Sequence, residues 1–420
     1  MKRLMPSKRK VLIFMAACIC GTQLPAAQAS EPSWLQGATV KGFVSAYDWT
    51  SINHYFSGYD QYTFAVGGGI FLETPKYDGF SLAIEPLVQS GLGMFPTNSN
   101  LRSPSLGNNI TSLGQAYIGY NNYGINAKVG NVELNHTPWN GSNIGYRILP
   151  IVYQGASVNY AATKNLKFYA ARITRWQYYT QSQYDKRTAY SIYLPEAGKD
   201  SSGFLSLGTK YKGKVLGSNY LKTNSELWYY NYYQYDRLYL AQSVNTIGNG
   251  AYKVILGAQF MHAGKNNGFL GNVNSQLYGG ELGVKNSSSK VELVYDYIPS
   301  HPGSFNYGGL VTPYNTITSS GPIFAQPVVS STQDFGAGTA MGLKFDYYGV
   351  KHLFAQLRYT YLHMRTAPAY NKYSEYDLIL SYNFPEVKGL NLTDIGAIIN
   401  EEPNAKPNFY ENRLMLVYDF

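Results

Sequence analysis

The stretch that decides the fold is residues 115–129, which read QAYIGYNNYGINAKV. Side chains alternate in character before and after the segment NNYG at 121–124, which has the composition of a tight turn. Alternation on both sides of such a turn predicts a β-hairpin. Antiparallel strands should therefore form this part of the chain.

The residues that follow, 135–150, read NHTPWNGSNIGYRILP and lose this alternation. They mix turn formers with one arginine and with Trp139, Ile144, Ile148 and Leu149. So much apolar surface is costly to leave in water, and the loop should pack onto the rest of the fold. Since the lumen of a barrel would receive it, we interpret residues 135–150 as an inward loop that narrows a pore.

The N-terminus has the features of a secretory signal. Five basic residues precede a short apolar run at 11–20, and residues 27–29, Ala-Gln-Ala, form a small-x-small cleavage site. About ten apolar residues are too few to span a bilayer. We therefore predict a signal peptide at 1–29 and a mature chain that begins at Ser30. A lipoprotein cut before Cys18 is the alternative.

Removal of the signal peptide changes both the charge and the thiol content. The whole chain has 34 Lys and Arg against 25 Asp and Glu, and the leader holds five of the basic residues and none of the acidic ones. The mature chain then has 29 basic and 25 acidic residues, a net charge of +4, and no basic run that would favour nucleic-acid binding. Both cysteines, Cys18 and Cys20, leave with the leader, which excludes disulfides in the exported protein.

Tyrosine and glycine are the most prominent residues of the composition. They occur 41 and 42 times, whereas charged residues make up only 14% of the chain. After residue 30 no apolar run approaches the ~18 residues of a membrane helix. A chain with so many amphipathic aromatic side chains is compatible with a soluble all-β fold or with a membrane β-barrel that has aromatic girdles.

About eighteen segments of about ten residues alternate as barrel strands do. In the clearest, residues 375–384, one face is apolar with aromatic ends and the other is mostly polar. Residues 341–347 and 291–297 repeat this division. We therefore predict an all-β fold, a transmembrane antiparallel β-barrel of about 18 strands over residues 30–420, with an inward-folded constriction loop.

Connection lengths alternate along the chain, with short turns near residues 75–79, 121–124, 163–165, 248–251, 286–289 and 386–389 and longer loops near 92–111, 134–151, 178–202 and 300–335. Short turns at one end and long loops at the other are typical of outer-membrane barrels. Residues 212–225 fit least well, and the strand count could change by two there. The last segment, 410–420, ends on an aromatic residue and should pair with the first strand, around 38–49, because an open edge in lipid is prohibitively costly.

With these features the chain resembles the OprD family of outer-membrane porins. The resemblance is carried by the sequences GQAYIGY at 114–120, KVG at 128–130, TPW at 137–139 and RILP at 147–150, which runs on to Gly155. It continues in the C-terminal order of a strand that ends YNF at 382–384, a KGL turn at 388–390, the acidic pair Glu401-Glu402 and the closing strand.

The resemblance implies an eighteen-stranded barrel, monomeric or loosely trimeric, that admits small carboxylate-bearing nutrients. It also implies a pore narrowed by an inward loop and lined by basic side chains that face acidic groups. By position, the loop is residues 135–150 and Arg147 is its basic residue. Loops of the family often place an acid just before this arginine and end in Glu-Gly. Here Gly145 and Tyr146 precede Arg147 and Gln154-Gly155 ends the loop, which does not favour selectivity for cationic amino acids.

Selection in a narrow pore depends on the sign and the placement of its charges. Strand alternation predicts a pore lining of four basic residues, Lys128, Arg172, Lys344 and Arg358, and three acidic residues, Glu292, Asp296 and Asp346. The alternative is that the basic residues are solvated wall residues that pair with these acids.

In the inward loop, Arg147 is the candidate selectivity residue, and a salt bridge that pins the loop to the wall is its structural alternative. Tyr146 and Trp139 could stack on a passing solute, although packing is the better interpretation of Trp139. His136, at the start of the loop, is the histidine whose position favours a functional test.

Other classes of function have less support. The six histidines occur in no nucleophile motif and are too dispersed for a metal site, so we predict no enzyme and no cofactor. A non-conducting barrel that acts as an adhesin or structural surface protein through the loop at 300–335 is the alternative to a porin, and a soluble all-β lectin is a further one. We predict passive diffusion across the outer membrane of a Gram-negative cell. The expected partners are small-molecule solutes and the lipid and lipopolysaccharide of that membrane, and the chain is expected as a monomer or trimer.

Overall fold

Eighteen β-strands in the described part of the chain follow one another and close into a barrel in the computed structural model. The structure describes residues 36–53, 59–103, 105–143, 146–192, 199–314, 321–332, 336–365, 371–402 and 408–420. The predicted signal peptide, its two cysteines and Ser30 lie outside the described residues.

The strands contain 8 to 16 residues, close to or above the about 9–11 that a tilted transmembrane strand needs. Their bounds are β1 Thr39–Ile52, β2 Gln61–Glu73, β3 Phe80–Ser90, β4 Ile110–Asn122, β5 Ile125–Val132, β6 Val152–Ala161, β7 Leu166–Gln177, β8 Phe204–Lys214, β9 Leu221–Tyr232, β10 Asp236–Ile247, β11 Lys253–Gly268, β12 Gly271–Lys285, β13 Ser289–Ile298, β14 Ala337–Tyr347, β15 Leu353–Arg365, β16 Asn371–Asn383, β17 Leu390–Glu402 and β18 Phe409–Asp419.

Among the described residues, helical structure is limited to single turns. The 3-10 helices are Ser99–Leu101, Ala189–Ile192, Val215–Gly217 and Phe305–Gly308. No helix in the described part of the chain is long and apolar enough to cross a membrane.

The barrel closes where its first strand meets its last. β1 pairs with β2 on one side and with β18 on the other, from Phe43 opposite Asp419 to Ile52 opposite Tyr410. All neighbouring strands are antiparallel. Closure gives every strand two neighbours, so no edge is left with unpaired backbone groups. The predicted pairing of the two terminal strands is confirmed.

The two faces of the wall differ as the alternation predicts. In β16 the outward residues Tyr376, Leu378 and Leu380 are exposed, whereas the inward residues Glu375 and Asp377 are buried. β13 and β14 show the same division. An apolar outer face with a polar inner face is the arrangement of a barrel whose outside contacts lipid, and the predicted fold class, an antiparallel barrel of 18 strands, is confirmed.

Short turns lie at one end of the barrel, which we call the turn end, and the longer connections lie at the other, the loop end. Residues 212–225 do not change the count, because a single 3-10 turn, Val215–Gly217, joins β8 to β9. The predicted hairpin of β4 and β5 has Tyr123 and Gly124 at its tip, with φ of 50° and 77°. Two residues with positive φ match the type I′ turn, which suits the twist of a hairpin.

The long connections fold back into the barrel and do not extend away from it. Buried residues of the connections at 91–109, 133–151, 178–203 and 299–336 join the inward faces of the strands in one hydrophobic cluster, through Leu106, Trp139, Tyr179 and Val311 among others. In the described part of the chain, the lumen at the loop end is therefore filled by packed loop residues and is not an open, polar channel.

Under the adhesin alternative the loop at 300–335 is expected as an exposed contact surface, and that expectation is wrong for residues 308–314 and 323–332, whereas Pro302 and Gly303 are exposed. Every residue from 308 to 314 and from 323 to 332 is buried. Because this segment contains Ile323, Phe324, Val328 and Val329, its apolar surface is removed from water by packing inside the barrel.

Candidate functional site: the lumen and its two inward loops

The first inward loop, residues 133–151, joins β5 to β6 and is tied to itself by Ser142. The buried Ser142 hydroxyl accepts the N–H of Leu134 at 2.8 Å, the Ser142 N–H donates to the Leu134 carbonyl at 2.9 Å, and Ile151 N–H donates to the Ser142 carbonyl at 2.9 Å. These bonds bring the two ends of the loop together, so that its described residues, 135–143 and 146–150, form a compact unit within the lumen.

Trp139 and Asn140 pack this loop against the inward face of β9. Trp139 is fully buried, and its backbone N–H donates to the Tyr230 hydroxyl at 3.4 Å. Tyr232 donates its hydroxyl to Asn140 Oδ1 at 2.7 Å. The Trp139 ring is thus part of the packing and is not presented to a solute.

On the opposite side the loop reaches β1. A Cβ built on Gly67 of β2 would lie 2.6 Å from Ile148 Cγ2, so a glycine is needed for this close approach. The Arg147 guanidinium lies over the rings of Trp49, at 5.1 Å, and Tyr179, at 5.3 Å, and donates to the Tyr146 carbonyl at 2.8 Å.

Arg147 has no carboxylate partner among the described residues. The nearest arginine–carboxylate pair is Arg413 with Glu411 on β18, and Arg413 covers the same Trp49 ring at 4.5 Å. The predicted alternative, a salt bridge that pins the loop, is therefore not the arrangement found. Cation–π contacts hold Arg147 in place without neutralising its charge.

A second inward loop, residues 299–336, joins β13 to β14 and crosses the lumen to β16. The Glu375 carboxylate accepts the backbone N–H groups of Val328 at 2.9 Å, Val329 at 2.6 Å and Ser330 at 2.8 Å, and also the Ser330 hydroxyl. A buried carboxylate that accepts several charge-assisted bonds is a strong fastening. Glu375 therefore fixes the middle of this loop to the wall.

Three of the residues predicted to line the pore bind the backbone of the second inward loop. Lys344 donates to the Phe324 carbonyl at 2.6 Å, Arg358 donates to the Gln326 carbonyl at 2.5 Å, and Asp296 accepts the N–H of Ala325. All three point inward, but their charged groups are used to hold the loop.

The other two acids predicted to line the pore, Glu292 and Asp346, form ion pairs with Lys290, which was not predicted from the sequence. Lys290 pairs with Glu292 at 2.8 Å and with Asp346 at 3.0 Å, and Gln356 donates to Asp346 at 2.6 Å. Together with Glu375, Lys344, Arg358 and Asp296, these residues form what we call the loop-bound wall, the inward face of β13–β16.

The two inward loops meet at Tyr146. This residue has φ of 56° and packs against the cluster that contains Val328 and Val329 of the second inward loop. Both inward loops therefore form the constriction. Arg147 of the first inward loop directly follows Tyr146, the residue that contacts the second inward loop.

The turn end of the lumen is different, because it contains a cavity of about 320 Å³ between the first inward loop and the strands β5–β8. Lys128, Glu133 and His136 line it. The Lys128 ammonium lies 4.3 Å from the centre of the Tyr117 ring, and the His136 ring lies 5.8 Å from that of Tyr169. We call this inward surface of β5–β8 the open wall.

Two loop residues of the open wall, Glu133 and His136, have shifted pKa values. Burial, and then the charge of nearby Glu85, raise the pKa of Glu133 to about 7, although the bond from Asn135 and the charge of Lys128 act in the opposite direction. Burial and neighbouring lysines lower the pKa of His136. At neutral pH, His136 is therefore mainly uncharged, whereas Glu133 is partly ionised.

Solved structures with the same fold were found across nearly the whole chain. OccK9 (OpdG) of Pseudomonas aeruginosa is 18% identical with a TM-score of 0.73, over 93% of this chain and 100% of that one. A BenF-like porin from Pseudomonas fluorescens Pf-5 is 14% identical with a TM-score of 0.78, over 92% and 99%. OpdK of Pseudomonas aeruginosa, crystallised with vanillate, is 15% identical with a TM-score of 0.73, over 92% and 99%.

The chain has the fold of outer-membrane porins. Neither a protein-family model nor a curated protein matches it. Because these neighbours are OprD/Occ porins, the predicted resemblance to the OprD family is confirmed at the level of the fold.

For one residue, Arg172, the predicted position in the pore is wrong. Arg172 lies on the outward face of β7 with Phe168, opposite Ala156 and Leu205, whereas Ala171 and Ile173 point inward and are buried. Its guanidinium lies over the Tyr233 ring at 4.7 Å and donates to the Ser202 carbonyl at 3.0 Å. A one-residue error in the parity of a strand exchanges its faces, and β7 has an irregular register next to this position.

Glu375, Lys290 and Glu133 were not among the site residues predicted from the sequence. Glu375 was already on the inward face of the clearest strand, but nothing local shows that a loop distant in sequence would bind it. The second inward loop itself could have been found, since residues 323–329 are as apolar as the first loop by the same criterion. In the described residues no group of three or more His, Cys, Asp and Glu side chains could hold a metal ion.

Proposed function

We propose that this protein is a porin of the Gram-negative outer membrane, through which small solutes diffuse passively past a constriction made by the two inward loops. The observation that carries the proposal is the closed barrel with an apolar outside and with Arg147 held in the lumen without an acidic partner among the described residues. A membrane barrel that only served as a scaffold would have no use for an unneutralised cation on an inward loop of its lumen.

We further infer selectivity for small solutes that carry a carboxylate. Arg147 and Lys128 both lack an ion-pair partner in the described chain, and both face the lumen. A solute carboxylate would gain from each of them in turn, because the field of a fixed cation is stronger in a narrow, partly desolvated channel. Vanillate, the compound in the OpdK crystal, is itself a carboxylate.

The test is single-channel recording of the refolded protein in a planar bilayer, with reversal potentials measured in a salt gradient. For Arg147→Ala we expect discrete channels with selectivity shifted toward cations. The matched control is Arg237→Ala, which removes the same charge from the exposed outward face of β10 and should leave selectivity unchanged.

Absence of channels from a heat-modifiable, folded barrel would overturn the porin proposal and favour a non-conducting surface protein. Channels with equal reversal potentials in the wild type and Arg147→Ala would keep the porin and remove Arg147 as its selectivity residue. The fold of channel-forming neighbours and the dispersed histidines support a channel rather than an enzyme.

A further inference from the structure

The cavity of the open wall has a lining that neither the constriction nor the ion selectivity explains. Its volume of about 320 Å³ is at the lower end of the about 300–1,000 Å³ typical of ligand pockets. Six of its lining side chains are neutral amides or hydroxyls: Asn126, Asn135, Thr137, Ser157, Asn159 and Ser206.

Most of these polar groups are not used by the protein. Asn126, Asn159, Ser157 and Ser206 make no side-chain hydrogen bond to another described residue. The Thr137 hydroxyl is buried and also lacks a partner. Asn135 is the exception, with a bond to Glu133 at 3.3 Å. Except for the buried Ser206 and the Thr137 hydroxyl, these side chains are partly exposed to the cavity, so their amides and hydroxyls are available to a solute that carries hydroxyl or amide groups.

The charges of the cavity oppose each other. Lys128 and Glu133 both line it, and the basic residue next along this wall, Lys210, is paired with Glu226 at 3.0 Å. A charged solute that stays in the cavity is attracted by one of these groups and repelled by the other, so the attraction of Lys128 for a passing carboxylate is partly offset by Glu133 once the solute is bound there. Neutral hydrogen-bonding groups therefore contribute most of the recognition that this lining can supply.

One wall of the cavity is aromatic and rigid. Tyr169 lines it and stacks on Trp228 with ring centres 5.5 Å apart and an interplanar angle of 26°. The Trp228 ring continues the stack to Tyr230 at 5.8 Å. A ring held in this way offers an apolar surface beside the polar side chains, which suits a solute with hydroxyl groups at its rim and C–H groups on its face.

From this arrangement we propose that the cavity is a subsite for a neutral, polyhydroxylated ring of monosaccharide size, a sugar or a cyclic polyol. The proposal rests on the proposed porin function, because the subsite lies on the turn-end side of the first inward loop. Solutes would meet it next to the constriction. The amides of Asn126 and Asn159, which oppose each other across β5 and β6, would bind neighbouring hydroxyls.

The experiment adds D-glucose, myo-inositol, glycine or benzoate to single channels in a planar bilayer and records interruptions of the ion current. We expect saturable interruptions with glucose and inositol, and about tenfold weaker binding in the double variant Asn126→Leu/Asn159→Leu, which loses the paired amides. Ser157→Ala/Ser206→Ala removes two hydroxyls without adding bulk and should also weaken binding. This variant replaces the leucine variant in the test if the leucine variant fails to fold. Asn231→Leu on the outward face of β9 is the control and should have no effect.

A second readout does not need conduction. Titration of the folded barrel in detergent with glucose should change the fluorescence of Trp228, which is stacked on the lining residue Tyr169. Saturable binding there without channels would uphold the subsite while the porin proposal fails. Channels that respond to benzoate or glycine but not to glucose or inositol, or glucose responses unchanged in both double variants, would overturn the subsite and leave the porin proposal standing.

Discussion

The loop-bound wall and the open wall belong to one lumen, yet they use the same kinds of side chain in opposite ways. On the loop-bound wall, Glu375, Lys344, Arg358 and Asp296 bind main-chain groups of the second inward loop. On the open wall, Lys128 lies over an aromatic ring and has no ion-pair partner in the described chain. Inward position alone does not make a charged residue a selectivity residue.

The physical reason is the desolvation of charges. A charge that enters a filled lumen must find partners there, and the backbone of an inward loop supplies them. A charge beside a cavity can remain hydrated and act on solutes. The two walls should therefore respond differently to the same substitution, and the following experiments, in order of decreasing effect, test whether they do.

Loss of the Glu375 carboxylate should have the largest effect. Glu375→Ala leaves the buried N–H groups of Val329 and Ser330 without an acceptor, at a cost of about 1–3 kcal/mol each, whereas the N–H of Val328 keeps a long bond to Asp377 at 3.4 Å. We expect the loop to leave the wall, single-channel conductance to rise and residues 321–332 to become sensitive to protease. Glu375→Gln, which keeps one acceptor oxygen, should have an intermediate effect. Unchanged conductance and protease resistance in Glu375→Ala would show that the loop does not depend on this fastening.

Lys128→Met and Lys344→Met remove one positive charge each, from the open wall and from the loop-bound wall. Lys128→Met should shift the reversal potential toward cation selectivity, because its charge acts on ions in the cavity. Lys344→Met should change selectivity less, since its ammonium already binds the Phe324 carbonyl. Equal shifts in both variants would contradict the distinction between the walls.

Selectivity should also depend on pH through Glu133. Because the pKa of this carboxyl is raised to about 7, it is mainly neutral below that pH and charged above it. Preference for cations should therefore increase between about pH 6 and about pH 8. Reversal potentials at the two values test this, and Glu133→Gln should remove the change. A pH dependence that persists in Glu133→Gln would assign it to another group.

Arg172→Ala should have the smallest effect on transport. The side chain is on the outward face of β7, so selectivity should equal that of the wild type. The lost bonds to the carbonyls of Ser202 and Phe204 should cost on the order of 1 kcal/mol of stability, visible as a lower temperature of heat modification. A shift in reversal potential comparable to that of Lys128→Met would indicate that the Arg172 side chain faces the lumen and would contradict its outward position.

Much of the architecture follows from patterns of neighbouring residues. Alternation in residues 375–384, the tight turn at 121–124 and the aromatic end of the chain each act over a few residues, and they predict the strand type, the hairpin and the closing strand. The apolar content of residues 135–150 predicts that this loop is buried. Such features can be predicted from the sequence because the free-energy cost of exposing apolar groups or strand edges depends little on which partner covers them.

The partners themselves depend on contacts between segments far apart in the chain. Val328–Ser330 and Glu375 are 45 or more residues apart, and Arg147 lies against Trp49. No local pattern states which carboxylate will receive a loop or on which side of an irregular strand Arg172 will point. The sequence by itself determined a closed membrane barrel with an inward loop. Only the tertiary structure decided which charges hold loops and which remain available to a solute, because hydrogen-bond partners and hydration are set by what surrounds each side chain in three dimensions.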